Sequence, residues 1–449
     1  MPSLIPSSQL FSESFESTAI RDIFSDTKLV SHYLEIEAAL AKAQGKLGII
    51  PTEAADAIHH CANINHIDLQ KLANRTAIVG YPILPLIEQL SLLPSNNLGQ
   101  YCHWGATTQD IMDTADAIQY RASLKLIGNE VRAFTDALVN LIKKHKLTIM
   151  PARTHLQQST PTSLGFMLLC YLETLDQNIC EIESLIEECC CIQFGGASGT
   201  IASLGNRGLE VRTELAKELG LSEPHVTWHT MRGRFVKISA WLARLCGTLG
   251  KIGIDISLLM QTEVGEISEK FTEGYGASST MPQKHNPIAS EHLIAASNIT
   301  QHLNSLMYST MRQDHQRASG NWHIEWYAMP QLFMVTHSAI VRAKDVFLNL
   351  NIDEQRMLEN IEITHGQIMA ESVMMKLSQF VGRQVAHDIV YEACNIARKE
   401  KCHLQNVLTR NDQIMQHISF DELISLFKPE HYLGSAPVMI EKYLDEREA

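Results

Sequence analysis

Through the middle of the chain, apolar residues recur at alternating steps of three and four. Ala117, Tyr120, Leu124, Ile127, Val131, Phe134, Leu138 and Leu141 make one such series. Leu168, Leu172, Leu175, Ile179, Ile182 and Ile186 make a second, and Ile238, Leu242, Leu245, Leu249, Ile252, Ile256 and Leu259 a third. Steps of three and four fall on one face of an α-helix and on neither face of a strand. The stripes are narrow, like coiled-coil seams, and at about 1.5 Å per residue each helix spans at least about 30 Å. Helices of this kind pack as a near-parallel bundle. A shorter helix is read from Leu29, Tyr33, Ile36, Leu40, Ala43 and Leu47, closed by Gly48 and Pro51. Beyond about residue 350 the pattern breaks into shorter helices separated by THGQ, VGRQ and KPEHYLG. Convincing strand runs are few. The pattern predicts an all-α chain in three helical regions, 1–100, 101–350 and 351–449, the middle one a bundle of long helices.

Three polar segments bearing glycine or proline interrupt these helices. HWGATTQDIMDTA carries His103, Thr107, Thr108, Gln109 and Asp110; ARTHLQQSTP carries Arg153, Thr154, His155 and Gln157; GYGASSTMPQKHNPIASEH runs from 274 to 292. Each precedes a predicted helix. Thr160-Pro161 and Asn286-Pro287 both fit an N-cap followed by proline in the first turn. Helix N-termini offer free N–H groups and a positive dipole end, so they receive anions. With Lys284 nearby they suit a carboxylate, or the enolate-like form a carboxylate takes when its α-carbon loses a proton. The bland alternatives are caps without chemistry, a structural His155 and a plain linker at 274–287.

Charge narrows the partners. Lys plus Arg is 37 and Asp plus Glu is 50 in 449 residues, a net charge of −13. An acidic chain repels nucleic-acid phosphates and anionic lipid, so neither is an expected partner. The ten cysteines show no metal or redox spacing, although Cys189, Cys190 and Cys191 are adjacent; they read as reduced, buried thiols of a cytoplasmic protein. MPSLIPSSQLFSESFES has neither the basic nor the apolar part of a secretory signal, and no run is apolar enough to cross a membrane. His59, His60 and His66 have poor spacing for a metal. FGGASGT, 194–200, lacks the Lys-Ser/Thr and the preceding strand of a phosphate loop.

Taken together, the three segments resemble the fumarase/aspartase superfamily. Ser278-Ser279-Thr280-Met281-Pro282-Gln283-Lys284-His285-Asn286-Pro287 matches the family signature S-S-x-M-P-x-K-x-N, with HWGATTQD and RTHLQQ upstream. The likeness covers nearly the whole chain. It implies a homotetramer around a central multi-helix core, sites shared between subunits, a small polycarboxylate substrate, and elimination through a carbanion without metal or organic cofactor. IRDIFSD, EAALAKAQGKLGIIP, TWHTMR, GNWHIEW and THGQIMAESVMM are most similar to the 3-carboxy-cis,cis-muconate cycloisomerase branch, with adenylosuccinate lyase next.

The resemblance also implies residue roles. Ser278 is the base that removes the proton next to a carboxylate, and Lys284 and Asn286 hold the carboxylate of the intermediate. Thr107, Thr108, Gln109, Thr154 and Met281 contact substrate, and Arg317 is a second carboxylate clamp or, equally, a solvated arginine. His155, oriented by Glu291, protonates the leaving nitrogen or oxygen. Bacterial cycloisomerases carry Trp at the place of His155 and no acid at Glu291, whereas fumarate-releasing lyases carry both. Gly233 stands where an Asp is expected between Arg232 and Arg234, and Ala277 where a Gly precedes the serines. Three readings stand: a cycloisomerase, a C–N lyase releasing fumarate from an N-substituted succinate, and an inactive, crystallin-like structural protein.

Overall fold

The computed structural model describes residues 10–270, 274–317 and 319–448. Helices dominate, as the periodicity predicts. The N-terminal helix α1 is Asp26–Lys46, and five longer ones follow: α2 (Thr108–Lys144), α3 (Leu164–Cys189), α4 (Gly233–Leu259), α5 (Ile288–Ser309) and α6 (His323–Leu348). The seam residues are interior: Tyr120, Leu124, Ile127, Val131 and Phe134 of α2 and Ile238, Leu242, Leu245, Leu249 and Ile252 of α4 are each at most 2% exposed. Shorter helices follow, among them α7 (Ala370–Val381) and α8 (Arg383–Glu400). No helix among the described residues is long and apolar enough to cross a membrane.

Contacts divide the chain into two units that interleave in sequence. Unit 1 comprises 1–131, 177–250 and 292–341; unit 2 comprises 132–176, 251–291 and 342–449. Helices α2 to α6 each give residues to both, so these units are cut differently from the three sequence regions. The unit 1 core gathers Tyr33, Ile36 and Leu40 of α1, Leu86, Ile111, Ile118, Phe194 and Trp322. In unit 2 a core of Val373, Leu377, Val390, Leu404 and Ile414 sits around α7 and α8.

Two small antiparallel pairs interrupt the helices, both in unit 2. β1 (Ile149–Thr154) pairs with β2 (Gln157–Ser163), and β3 (Ile267–Ser268) pairs with β4 (Asn351–Ile352). The first hairpin corrects the sequence reading. Thr160 and Pro161 cap no helix; they lie in β2, Pro161 opposite Pro151. The helix starts three residues later, where the Ser163 hydroxyl accepts from the Phe166 N–H at 3.2 Å. The cysteines are all free; Cys189, Cys190 and Cys191 are buried as expected, but Cys170 and Cys180 are exposed.

Candidate active site

In unit 1 the Thr107–Asp110 segment is built as a platform. Thr107 stands immediately before α2, and its N–H donates to Asp110 Oδ2 at 3.0 Å. The residue three positions into the helix thus reaches back to the cap, the reciprocal half of a capping box. Because the backbone is satisfied this way, the Thr107 hydroxyl is released to accept from Arg317 Nη1 at 2.7 Å. Arg317 also donates to the carbonyls of Gly196 and Ala197, and it has no carboxylate partner among the described residues. A guanidinium held only by neutral oxygens keeps its charge available for an anion.

Behind this surface lies a buried polar network. The Asp110 carboxylate also accepts from the N–H groups of Gly195 and Gly196, each at 2.9 Å, and stands 2.7 Å from His229 Nε2. One carboxylate therefore joins the Thr107 turn to the glycine-rich 194–200 stretch. Gly195 has no room for a side chain: a Cβ there would stand 2.3 Å from Thr227. The stretch is no phosphate loop; its carbonyls hold Arg317. Sequence spacing gave no sign of this partnership. Beneath it, Arg232 is wholly buried between Asp113, at 2.8 Å, and Glu325, also at 2.8 Å. Burial disfavours the Arg232 cation, but the two carboxylates outweigh it and hold its pKa well above the ordinary value. Burial raises Glu325, with Arg232 opposing. Beside them Asp116 is raised well above a normal carboxyl, first by desolvation and then by Asp113 and Glu325. At the platform edge, burial opposes charge on His103, yet Glu37, 2.6 Å away, raises its pKa.

Gln109 changes role here. It is fully buried, and its amide donates to Asp113 Oδ2 at 3.1 Å and to the His229 carbonyl at 2.9 Å. Two residues along a helix is about 200° of rotation, so Gln109 turns inward when Thr107 turns out. It supports the platform from within. Thr108, partly exposed, stays on the open side.

Unit 2 carries the other candidates on two projecting segments. His155 and Leu156 are the two tip residues of the β1–β2 hairpin, between the paired Thr154 and Gln157. Their φ angles are +52° and +62°. Two successive positive φ values make the tight hairpin turn that suits the right-handed strand twist, a place usually held by Asn-Gly. Thr154, His155, Leu156 and Gln157 are all exposed. Just below the tip the hairpin is fixed by Arg153, whose guanidinium forms a bidentate pair with the buried Glu266 carboxylate.

The signature segment is a looped-out arm ahead of α5. The Ser278 hydroxyl oxygen accepts from the N–H groups of Thr280 at 3.2 Å and Met281 at 3.0 Å. Two N–H donors stabilise negative charge on that oxygen. Met281, its side chain 43% exposed, acts on Ser278 through its backbone. Lys284 is exposed and has no ion pair among the described residues. Asn286 is no helix cap: its backbone and side-chain N–H groups both donate to the Gly276 carbonyl, at 3.0 and 2.9 Å. Gly276, at φ +66°, is therefore pinned, and a Cβ there would lie 2.6 Å from Asn286 O. Glu291 is exposed near the start of α5. Among the described residues of unit 2, no hydrogen bond or ion pair joins His155 to Ser278 or to Glu291.

The chain is similar to known proteins along nearly its whole length. A family profile described as "Lyase" matches residues 13–300, and one described as "Adenylosuccinate lyase C-terminus" matches residues 366–443. The chain is 38% identical to a 3-carboxy-cis,cis-muconate cycloisomerase of Acinetobacter baylyi, over 98% of each chain. It is 39% identical to trans-aconitate decarboxylase 1 of Mycosarcoma maydis, over 99% of this chain and 90% of that one. A crystal structure of the 3-carboxy-cis,cis-muconate lactonizing enzyme from Pseudomonas putida superposes with a TM-score of 0.93 at 37% identity, covering 98% of this chain and 99% of that one. With the signature loop, the hairpin and the Thr107 platform all present on a chain so similar throughout, the protein belongs to the fumarase/aspartase superfamily of lyases.

Proposed function

We propose that this protein is a cytoplasmic, cofactor-free enzyme of 3-carboxy-cis,cis-muconate cycloisomerase type, acting on a small unsaturated polycarboxylate. The observation that carries the reading is Ser278, whose oxygen is met by two N–H donors on the loop that also bears the exposed Lys284. A serine hydroxyl is far too weak a base in water. Two amide donors favour its alkoxide, as would the Lys284 ammonium if the closed loop brings it close, and exclusion of water strengthens both effects. The activated oxygen takes a proton from the carbon next to a carboxylate, and the electron pair moves into that carboxylate. Lys284 and Asn286 stabilise the resulting enolate-like group, an effect of about 3–4 kcal/mol per well-placed donor. Thr107, Thr108 and Arg317 hold another carboxylate of the substrate, with Thr154 beside the leaving group. The intermediate collapses by breaking the C–O bond; lactone formation is the same path reversed.

The second reading is a C–N lyase that releases fumarate from an N-substituted succinate such as adenylosuccinate. His155 and Glu291 favour it, because a histidine backed by a carboxylate can protonate a departing amine. The match of residues 366–443 to an adenylosuccinate lyase C-terminus supports it too.

Neither reading completes a site from the bonds within one chain's unit 2, where among the described residues no hydrogen bond or ion pair joins His155 to Ser278 or Glu291. We propose a homotetramer in which three subunits supply the Thr107, His155 and Ser278 segments of each site. Refolding inactive Ser278→Ala together with inactive His155→Asn should restore part of the activity; no recovery in proven mixed tetramers counts against shared sites. The substrate is tested by ultraviolet absorbance. Loss of the 3-carboxymuconate chromophore supports the first reading, fumarate formed from adenylosuccinate supports the second, and silence with both and with a panel of substituted succinates sinks both.

A further inference from the structure

The neck of the Ser278 loop holds a buried carboxylate to which no role has been given. Glu269 is 1% exposed. Its Oε1 accepts from the Ser290 N–H and the Ser290 hydroxyl, each at 2.7 Å. Its Oε2 accepts from the Ala289 N–H at 3.2 Å and the Tyr275 hydroxyl at 3.3 Å. All four donors are neutral. Two of them are free N–H groups of the first turn of α5, where the helix dipole favours a negative charge. Glu269 thus does the capping that Asn286 leaves undone, since Asn286 is occupied with Gly276.

The reach of this carboxylate matters more than its capping. Glu269 follows β3, Tyr275 lies on the upstream arm of the loop, and Ala289 and Ser290 begin the helix on the downstream side. One side chain therefore ties three backbone segments together at the foot of the loop. Above it, the Gly276–Asn286 hydrogen bonds and the bridge between Ala277 and His285 form the next rung. The Ser278 oxygen and its two N–H donors stand above that rung. A cavity of about 140 Å³, lined by Glu269, Lys270, Tyr275, Asp345 and Val346, lies beside the clasp. It leaves the Tyr275 ring room to shift if its hydrogen bond is lost. Burial, then the Glu269 charge, pushes the Tyr275 hydroxyl up to about 12, so it stays a donor at neutral pH.

We propose that Glu269 is a positioning residue for the proton-abstracting loop: it fixes the spacing of the two loop arms and so the aim of the Ser278 oxygen. The inference rests on Ser278 being the base. Glutamine at 269 keeps one acceptor oxygen and turns the other into a donor, which faces N–H and O–H groups that also donate. The loop foot then opens on one side. Misplacing a reacting group by about 1 Å costs on the order of 100-fold.

The test compares Glu269→Gln, Glu269→Asp and Tyr275→Phe with the wild type. Each is followed by turnover of 3-carboxy-cis,cis-muconate and by hydrogen exchange of peptides spanning 277–286, which needs no substrate. Glu269→Gln should lower kcat by roughly 10–100-fold with KM changed by less than about threefold. Exchange at 277–286 should quicken by about tenfold while α1 peptides stay unchanged. Glu269→Asp, with its charge retained, should recover part of both. Tyr275→Phe removes one donor from the upstream arm alone and should show the same signs at about 3–10-fold; it decides the matter if Glu269→Gln does not fold. Wild-type exchange at 277–286 in both Glu269→Gln and Tyr275→Phe, or in Tyr275→Phe alone if the other cannot be folded, overturns the proposal. So does a loss spread evenly over the whole chain, since that marks general destabilisation. If Ser278→Ala keeps turnover, the base assignment fails instead, and the exchange result still reports on the clasp.

Discussion

Thr107 and Ser278 are both short hydroxyl residues in segments that lead into a long helix, and what stands behind each is different. Behind Thr107 lie Asp110, His229, Asp113, Arg232 and Glu325, all buried and bonded to one another. Behind Ser278 there is an exposed arm with glycine at 274 and 276, closed at its foot by Gly276–Asn286 and Glu269. The first region resists movement because every shift would break a charged hydrogen bond in a low-dielectric interior. The second can move as one piece. Binding groups gain from rigidity, since they hold substrate equally before and during reaction. A reacting base gains from a loop that admits substrate and then excludes water.

The contrast breaks most visibly at Ser278. Ser278→Ala should lower kcat by about 10³-fold or more while a polycarboxylate still raises the melting temperature, because the base acts only in the transition state. Near-normal turnover would remove Ser278 from its role. His155→Asn comes next. If an amine is expelled the loss in kcat should be roughly 10²–10⁴-fold. If a muconate is lactonised, His155→Trp should keep substantial activity, as the cycloisomerase likeness implies.

On the platform side the response should be in stability. Arg232→Met leaves Asp113 and Glu325 buried without their cation and should destabilise by about 3–5 kcal/mol in urea unfolding. A loss below about 1 kcal/mol would mean the network is no brace. The smallest effect is one of pH. Asp116 has its folded pKa raised, so its contribution to stability is full below the unfolded value and is lost as pH rises through the folded one. Asp116→Asn should therefore flatten the fall in urea midpoint as pH rises above the ordinary carboxyl range. An unchanged slope would show that Asp116 does not carry it.

Which parts were legible in the sequence follows from how far apart the partners are. The long helices could be read because their seams are local and periodic. The signature loop could be read because its residues are contiguous. The β1–β2 hairpin could not: Thr-Pro imitates a helix start, and His-Leu is an unusual pair for a turn with two positive φ values. The resemblance carried Gln109 over as a substrate contact, and its inward bonds to Asp113 and the His229 carbonyl, the latter 120 residues away, leave no trace in local pattern. The Arg317–Thr107 bond links residues 210 apart, and Glu269 reaches Ser290 across 21, so neither pairing leaves a trace in local pattern.

The hairpin tip carries a trade-off between folding and use. Leu156 is 74% exposed in the single chain and sits at φ +62°. An exposed leucine gains little from burial, and a left-handed leucine is strained by on the order of 1 kcal/mol or more. Glycine would relieve the strain and asparagine would reduce it. A screen of the hairpin for thermal stability alone would drift toward Asn-Gly at 155–156. It would return a sturdier protein without the histidine proposed as the proton donor of the lyase reading.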